Sequence, residues 1–505
     1  MWEYWEWFSM GFAQNFDKIF ALLIFSIIVT AAVMDFIDKN YPPGPLGVPF
    51  FGYLPFMNSR APHLTLTELA QQYGRIYSLN LGSLYTVVVS DVKMIRDAFA
   101  DDVFSLRPPL FLTHGLMGGK GLIGANGESW KETRAFVSNT MKDLVYGKGD
   151  ARNAAEPRIQ TATRELVQDL KNHAGQPIQM DEVVRHHVGN TLSDFILGTK
   201  FEKDSPSWKY LQLVLQERFR TFTLSNSFNY IPWLRRFSKY ANILNVLKDS
   251  KNRSQKIYTD LLETSNQNSV NSNNVRSVVD AYSLELKRRA KNNGVFSSEN
   301  IEHVLSDLVN AGWDTTSATL NWLYLYMALY PRIQDRVSQE IDAVVGNGKE
   351  IALTHLDNMP YTRAVILEIW RHRTILPMGV PHATTERKKI GEYWIPKGAM
   401  IMPLLYAAHH DALVWSNPEE FRPERHLNDD GSLCSTENLL TFQAGKRACV
   451  GEALGRQIVQ LFFANTVSQL KIGVPKGSTL SIEDVPDCGA TLTPRPYQLR
   501  FELRK

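Results

Sequence analysis

One stretch constrains this chain more than any other. Phe442-Gln443-Ala444-Gly445-Lys446-Arg447-Ala448-Cys449-Val450-Gly451 sets a single cysteine among small residues, with an arginine two positions before it and a glycine two positions after. The segment that follows, Glu452 to Leu470, carries Ala453, Leu454, Ile458, Leu461 and Phe462 near helical spacing, which predicts a helix. A thiol at a helix N-terminus meets the positive end of the macrodipole and free amide donors, both of which favour thiolate. Thiolate is a soft ligand for iron, and it is one of the few axial ligands that haem uses. Gly445 and Gly451 predict a tight bend and the close approach of a flat macrocycle. A buried structural thiol fits the bare chemistry equally well, since free cysteine is among the most buried residues.

The pattern F-x-x-G-x-R-x-C-x-G resembles the haem-binding signature of the cytochromes P-450, the haem-thiolate monooxygenases, at every fixed position. The resemblance implies haem b, with Cys449 as its metal ligand and Phe442, Gly445, Arg447 and Gly451 among the residues that bind it.

The remaining chain fits an intracellular, membrane-associated protein. Its 505 residues give a length prior of two or three domains. A net charge of +3 offers no electrostatic case for nucleic acid. Cys434, Cys449 and Cys488 are odd in number and form no CxxC pair, which argues against a zinc site or a disulfide framework and fits a reducing compartment. Trp2, Tyr4, Trp5, Trp7, Phe8 and Phe12 precede a charge-free run from Ile19 to Met34. That run is short for a span but is predicted as an anchor with an aromatic interfacial belt. Its acidic, aromatic start argues against a signal peptide. Tyr41-Pro42-Pro43-Gly44-Pro45-Leu46-Gly47-Val48-Pro49 then predicts a stiff connector. By resemblance to microsomal members the chain divides into an anchor (1–40), a proline-rich hinge (41–52) and a catalytic domain (53–505).

Patterning predicts a short helix from Leu64 to Tyr73, strands over Arg75–Leu81 and Tyr85–Ser90, and mostly helix thereafter. The fold class is mainly α with small β-sheets. In the resembling family the haem lies between a long central helix and the cysteine loop. Leu110–Gly124 is glycine-rich and implied to form a wall of the substrate pocket, with Arg107 preceding it as a propionate contact. Trp130 and Arg134 share a helical face; an indole donor and a guanidinium can hold a carboxylate, or simply stack at the surface. The family's W-x-x-x-R helix assigns both to a haem propionate. Pro381-His382 stands where relatives place another propionate-binding side chain. The segment Asn229–Arg236 mixes apolar, aromatic and basic residues, as an interfacial segment does. Residues 264–274 are predicted as a polar surface loop.

Ile301 to Leu329 predicts a long helix interrupted by Ala311-Gly312-Trp313-Asp314-Thr315-Thr316. Glycine and adjacent threonines weaken a helix, so a kink and a proton-delivery pair are both open readings. The match to A/G-G-x-D/E-T implies Gly312 beside dioxygen, with Asp314 and Thr315 in proton relay. Trp313 fills the variable position. Glu368-Ile369-Trp370-Arg371 resembles the family's E-x-x-R, whose triad is closed here by Arg425; His426 stands where that loop ordinarily ends in an aromatic.

These signatures resemble the animal microsomal branch that contains steroid hydroxylases and aromatic-hydrocarbon oxidisers, as Pro381–Thr385 and Pro423-Glu424-Arg425 do. The implied reaction inserts one oxygen atom from O2 into a lipophilic molecule: a steroid, fatty acid or xenobiotic. No nicotinamide or flavin fingerprint is present, so electrons from NADPH must come through a separate NADPH-cytochrome P-450 reductase, with cytochrome b5 as an optional second donor. The implied location is the endoplasmic reticulum membrane, catalytic domain in the cytosol. A peroxide-rearranging haem-thiolate isomerase and a non-catalytic haem or lipid sensor are rival readings; Asp314 and Thr315 argue against both.

Overall fold

In the computed structural model the described residues are 40–147, 154–221, 226–267, 275–289, 296–482 and 488–504, with isolated positions between 18 and 27. The anchor expected over 19–34 lies largely outside them, as do residues 268–274 of the expected polar loop. Among the described residues no helix is long and apolar enough to cross a membrane.

The chain opens with α1 (Pro62–Tyr73), β1 (Ile76–Leu81), β2 (Leu84–Val89) and α2 (Val92–Ala100). Helices α3 (Gly127–Tyr146) and α4 (Glu156–Asn172) lead to β3 (Pro177–Gln179), α5 (Met180–Leu197), α6 (Pro206–Thr221), α7 (Ser238–Gln267) and α8 (Val278–Arg289). The longest helix, α9 (Ser298–Leu329), is followed by α10 (Pro331–Val344), α11 (Leu353–Leu356) and α12 (Pro360–His372). Short strands β4 (His382–Ala383), β5 (Lys388–Ile390), β6 (Tyr393–Ile395) and β7 (Met400–Pro403) then precede α13 (Leu405–His409). The chain closes with α14 (Glu452–Gln469), β8 (Leu470–Gly473) and β9 (Gln498–Leu503). The sheets are small, in the orders β1-β2-β7-β4, β3-β9-β8 and β5-β6. This is the mainly α architecture with small sheets that the patterning predicts. Helix α7 runs to Gln267, so the start of the expected polar loop is helical instead.

Helix α9 forms the spine. Ser297 caps it by accepting from the Asn300 N–H at 3.1 Å. It is unbroken from Ser298 to Leu329, so the interruption expected at Ala311–Thr316 is absent. Thr315 Oγ1 donates to the Ala311 carbonyl at 2.8 Å and Thr319 Oγ1 to that of Thr315 at 2.9 Å, which the helix absorbs without breaking. Fully buried Val304, Leu305, Leu320, Leu323 and Tyr324 place α9 inside one large core with α5, α12 and α14.

The proline-rich stretch lies against the sheet. Ser78 of β1 donates its N–H to the Pro43 carbonyl at 2.7 Å and its hydroxyl to that of Pro42 at 2.8 Å. A Cβ on Gly44 would stand 1.7 Å from the Ser78 carbonyl oxygen, so only glycine permits this approach.

Helix α12 is locked to the 418–426 segment by one carboxylate. Arg371 binds Glu368 through both oxygens at 2.8 and 2.9 Å, and Arg425 Nε reaches Oε1 at 2.9 Å. The Arg422 N–H donates to the same oxygen at 2.9 Å, while His426 Nε2 lies 2.9 Å from Oε2. His426 therefore joins the triad as a further partner, in the place of an aromatic that could only pack. Burial alone would raise the Glu368 carboxyl, but Arg371 and His426 draw it down to about 2. Glu368→Gln should lower stability by roughly 3–5 kcal/mol, because it leaves Arg371 buried without a counter-charge. In the wild type the carboxyl's folded value is depressed, so its stabilisation is full above pH 4.5 and is lost as pH falls through about 2. Denaturant melts of both proteins between those pH values check this, and a variant as stable as wild type at neutral pH would contradict it.

Candidate active site

Between α9 and the cysteine loop lies a cavity of about 240 Å³. Ala311, Gly312 and Thr315 line it from α9, and Phe442, Arg447, Cys449 and Gly451 line it from the opposite side. Cys449 is deep in the molecule yet exposed to this internal space, whereas Cys434 is half-buried and Cys488 buried outside it.

The loop that presents the thiol is closed by its own backbone. Cys449 N–H donates to the Phe442 carbonyl at 2.9 Å, and residues Gly445–Arg447 form a single 3₁₀ turn between them. Gly445 has φ +72°, and an added Cβ would meet the Phe99 carbonyl oxygen at 1.8 Å. Gly451 differs from expectation: its φ is −94°, and a Cβ there would touch nothing closer than Cys449 Sγ at 4.0 Å. Its backbone conformation does not require glycine, and its missing side chain leaves open space beside the sulfur. Helix α14 begins one residue later. Burial raises the Cys449 thiol above its ordinary range, although the Gly451 N–H, Arg134 and Arg456 pull it down. Desolvation thus outweighs the helix terminus that favours thiolate.

A basic wall adjoins the thiol. Arg107, Arg134 and Arg447 all line the cavity, and among the described residues no carboxylate forms an ion pair with any of them. Arg107 donates to the Val380 and Pro381 carbonyls at 3.0 and 2.7 Å. Arg447 donates to Ser105 and Ala125 carbonyls at 2.9 and 2.8 Å and lies 3.8 Å over the Trp130 ring. Arg134 reaches the Ala448 carbonyl, beside Cys449. Burial lowers all three guanidinium values; mutual repulsion adds to it at Arg107 and Arg447, and Arg447 falls to about 9. His382 sits on Phe99 with ring centroids 3.6 Å apart, its Nδ1 on the Phe104 carbonyl at 2.7 Å and its buried Nε2 without a partner. Burial, then the charge of Arg107, depresses its protonation.

On the opposite face, Asp314 and Thr315 diverge. Thr315 lines the cavity, whereas buried Asp314 points towards α5, where Arg185 Nη1 lies 3.3 Å from Oδ1 and Thr491 Oγ1 donates to Oδ2. Burial raises the Asp314 carboxyl, opposed by Arg185 and Thr491. The two side chains expected to work together are therefore about 100° apart on the helix. Gly312 lines the cavity, but its missing Cβ admits Leu192 of α5, whose Cδ1 would lie 3.2 Å away. Trp313 faces the neighbouring helix, donating to the Arg185 carbonyl at 2.7 Å and stacking on Trp208.

The Cytochrome P450 family model matches residues 42–501. The chain belongs to the cytochrome P450 family. It is 32% identical to Cytochrome P450 18a1 of Drosophila melanogaster, covering 97% of this chain and 93% of that one. It is 32% identical to Cytochrome P450 306a1 of the same fly, over 91% and 88%. Cytochrome P450 2J2 of Homo sapiens is 31% identical over 91% of each chain.

P450s are monooxygenases that bind haem b through a cysteine thiolate. The residues here fit that group on three counts. Three desolvated arginines, two of them buried, with no ion-paired acid among the described residues suit a guest with two carboxylates. The orphaned His382 Nε2 needs a hydrogen-bond partner, although His382 itself is not among the residues that line the cavity. A thiol that lines the cavity can serve as a thiolate ligand once a cation coordinates it. Motif matching missed three partners that this P450 uses: Arg185 and Thr491 on Asp314, and His426 on Glu368. Only His426 left a sequence signal, a polar residue where packing calls for an aromatic. The two loop glycines make a paired test. Gly445→Ala should lower the thermal midpoint, because left-handed backbone strain of roughly 1–2 kcal/mol adds to the clash with Phe99. Gly451→Ala should leave the midpoint of haem-depleted protein unchanged; equal losses in both variants would contradict the assignment.

Proposed function

We propose that in this monooxygenase Cys449 is the axial ligand and that Arg107, Trp130, Arg134, His382 and Arg447 hold the haem propionates. Phe442, Gly445 and Gly451 shape the loop around the sulfur. The observation that carries this reading is the cavity itself: one exposed thiol at its floor, an unpaired basic rim, and the Thr315 hydroxyl opposite. Haem, when bound, supplies the electron storage and oxygen activation that no side chain has. The chain's own residues bind, orient and handle protons. Ile123, Leu308, Ile375, Leu376 and Val380 line the rest of the space, which supports an uncharged, lipophilic substrate and excludes water. Thr315, tied to the Ala311 carbonyl, presents its oxygen lone pairs to the cavity and so holds a water or a proton there. Asp314 is the proton source behind it; to reach the cavity its carboxyl must turn from Arg185 and Thr491. One oxygen atom of O2 enters the substrate and the other leaves as water, with two electrons from NADPH through a separate flavoprotein reductase and cytochrome b5 as an optional second donor.

The same reading places the catalytic domain, residues 53–505, on the cytosolic face of the endoplasmic reticulum membrane, with residues 1–40 as anchor and 41–52 as the link. An exposed apolar patch supports it: Leu46, Phe50 and Phe56 are 72%, 84% and 55% exposed, and Trp233 and Phe237 are 45% and 56% exposed. Phe51 and Trp233 join the two segments edge to face, with Arg235 and Arg236 beside them.

Two experiments test the chemistry. Cys449→Ser should abolish the thiolate-type spectrum of the reduced carbon monoxide complex while Cys434→Ser keeps it; a Cys449 variant that retains the spectrum would overturn the ligand assignment. Thr315→Ala should bind substrate and consume NADPH nearly as wild type does, yet release much of the oxygen as hydrogen peroxide. NADPH, peroxide and product measured together decide this, and wild-type coupling in the variant would remove Thr315 from proton handling.

A further inference from the structure

Thr374, just beyond α12, has φ +35°, a left-handed conformation that a β-branched residue rarely adopts. Backbone strain of this kind persists only where surrounding bonds over-determine it. Here those bonds lead to His409, the last residue of α13, which is fully buried. The Thr374 hydroxyl gives its one hydrogen to the Arg371 carbonyl at 2.7 Å. His409 Nδ1 lies 3.0 Å from that hydroxyl oxygen and must therefore be the donor between them. The neutral ring then keeps its lone pair on Nε2, which accepts the Leu440 N–H at 2.9 Å. Burial first, then the charges of Arg371 and His426, hold the His409 value down to about 3, so the ring stays an acceptor at neutral pH. Arg371 also grips the His409 backbone, its Nη1 donating to the carbonyl at 2.8 Å.

Leu440 stands two residues before Phe442, at the base of the cysteine loop, and is itself fully buried. Its carbonyl accepts from the Gln443 N–H at 2.9 Å, and the Phe442 carbonyl accepts from the Cys449 N–H at the same distance. A series of hydrogen bonds thus runs from Arg371 through Thr374 and His409 to the loop that presents the thiol. We propose that His409 is a positioning residue, which ties the base of the cysteine loop to the Glu368–Arg371 cluster and so holds the Cys449 sulfur where it serves as thiolate. This rests on Cys449 being the axial ligand. Without the Nε2 lone pair the Leu440 amide has no water to turn to, so the loop must shift to satisfy it.

The test uses haem-loaded wild type and three variants. His409→Phe keeps the shape and removes both ring bonds. His409→Asn keeps a donor for Thr374 and removes the acceptor for Leu440, while His409→Gln places an amide oxygen near the position of Nε2. The first readout is hydrogen exchange of the Leu440 amide. The second is the rate at which the reduced carbon monoxide complex changes from the thiolate-type to the thiol-type spectrum, as the sulfur takes a proton from water. Both rates should rise about tenfold or more in His409→Phe and His409→Asn, and His409→Gln should stay within about threefold of wild type. His409→Asn decides the matter should the phenylalanine variant fail to fold. Trp415→Phe removes a neighbouring bond, from the indole to the Ala408 carbonyl at 3.2 Å, and reports a loss of stability that leaves Leu440 tethered. Wild-type rates in His409→Asn would overturn the proposal. So would faster exchange with an unaltered spectral change, or equal effects in Trp415→Phe or His409→Gln. A wild-type complex without the thiolate-type spectrum would overturn the ligand assignment instead, and the exchange rates would still decide the tie to Leu440.

Discussion

Three arginines that share one cavity, with no paired acid among the described residues, are the constraint on which the rest of this structure depends. Arg107, Arg134 and Arg447 are desolvated, and the charge of Arg134 burdens both of the others. Their protein partners are carbonyl oxygens, which orient a guanidinium but do not neutralise it. Each of those bonds also crosses between segments. Arg447 joins the cysteine loop to Ser105 and Ala125, Arg107 joins the same region to Val380 and Pro381, and Arg134 joins α3 to Ala448. The arginines proposed to hold the two carboxylates are therefore also the junction between the cysteine loop and its neighbours.

The Glu368 cluster shows the contrary arrangement. There one carboxylate is enclosed by Arg371, Arg425 and His426, and the charges close on themselves. Such a cluster fixes geometry but offers nothing to a guest. The two clusters are linked through the chain, because α12 carries Glu368 and also Trp370, which lines the cavity and packs edge to face on Phe442. A rigid, self-satisfied ion cluster thus backs an unsatisfied one. Buried charge that lacks its partner marks the site; buried charge that has it marks the scaffold.

What could be read from the sequence was what depends on neighbours in the chain. The cysteine loop is closed by a bond from Cys449 to Phe442, seven residues apart, so its signature is local, although only the family resemblance separated a haem ligand from a buried thiol. The triad residues Glu368 and Arg371 lie one helical turn apart and pair as expected. Orientation that depends on distant residues was not legible. Asp314 turns away from Thr315 because Arg185 and Thr491, remote in sequence, hold its carboxylate. Trp313 could not be oriented until Trp208 was placed against it. The bonds that Asp307 accepts from the Leu122 and Ile123 N–H groups left no pattern because backbone amides, which every residue has, are the donors. Threonines that suggested a broken helix capture carbonyls within an unbroken one, since packing on all sides of α9 outweighs their propensity.

The most direct measurement of the central claim compares iron protoporphyrin IX with its dimethyl ester for binding to the haem-depleted protein. The ester keeps the iron and the ring but removes both carboxylate charges. If the arginines are held unpaired for the propionates, the free acid should bind about a hundredfold or more tightly than the ester, since each lost charge-assisted bond is worth roughly 1.5–3 kcal/mol. The difference should shrink in Arg447→Ala. Equal affinity for the two porphyrins would contradict the account.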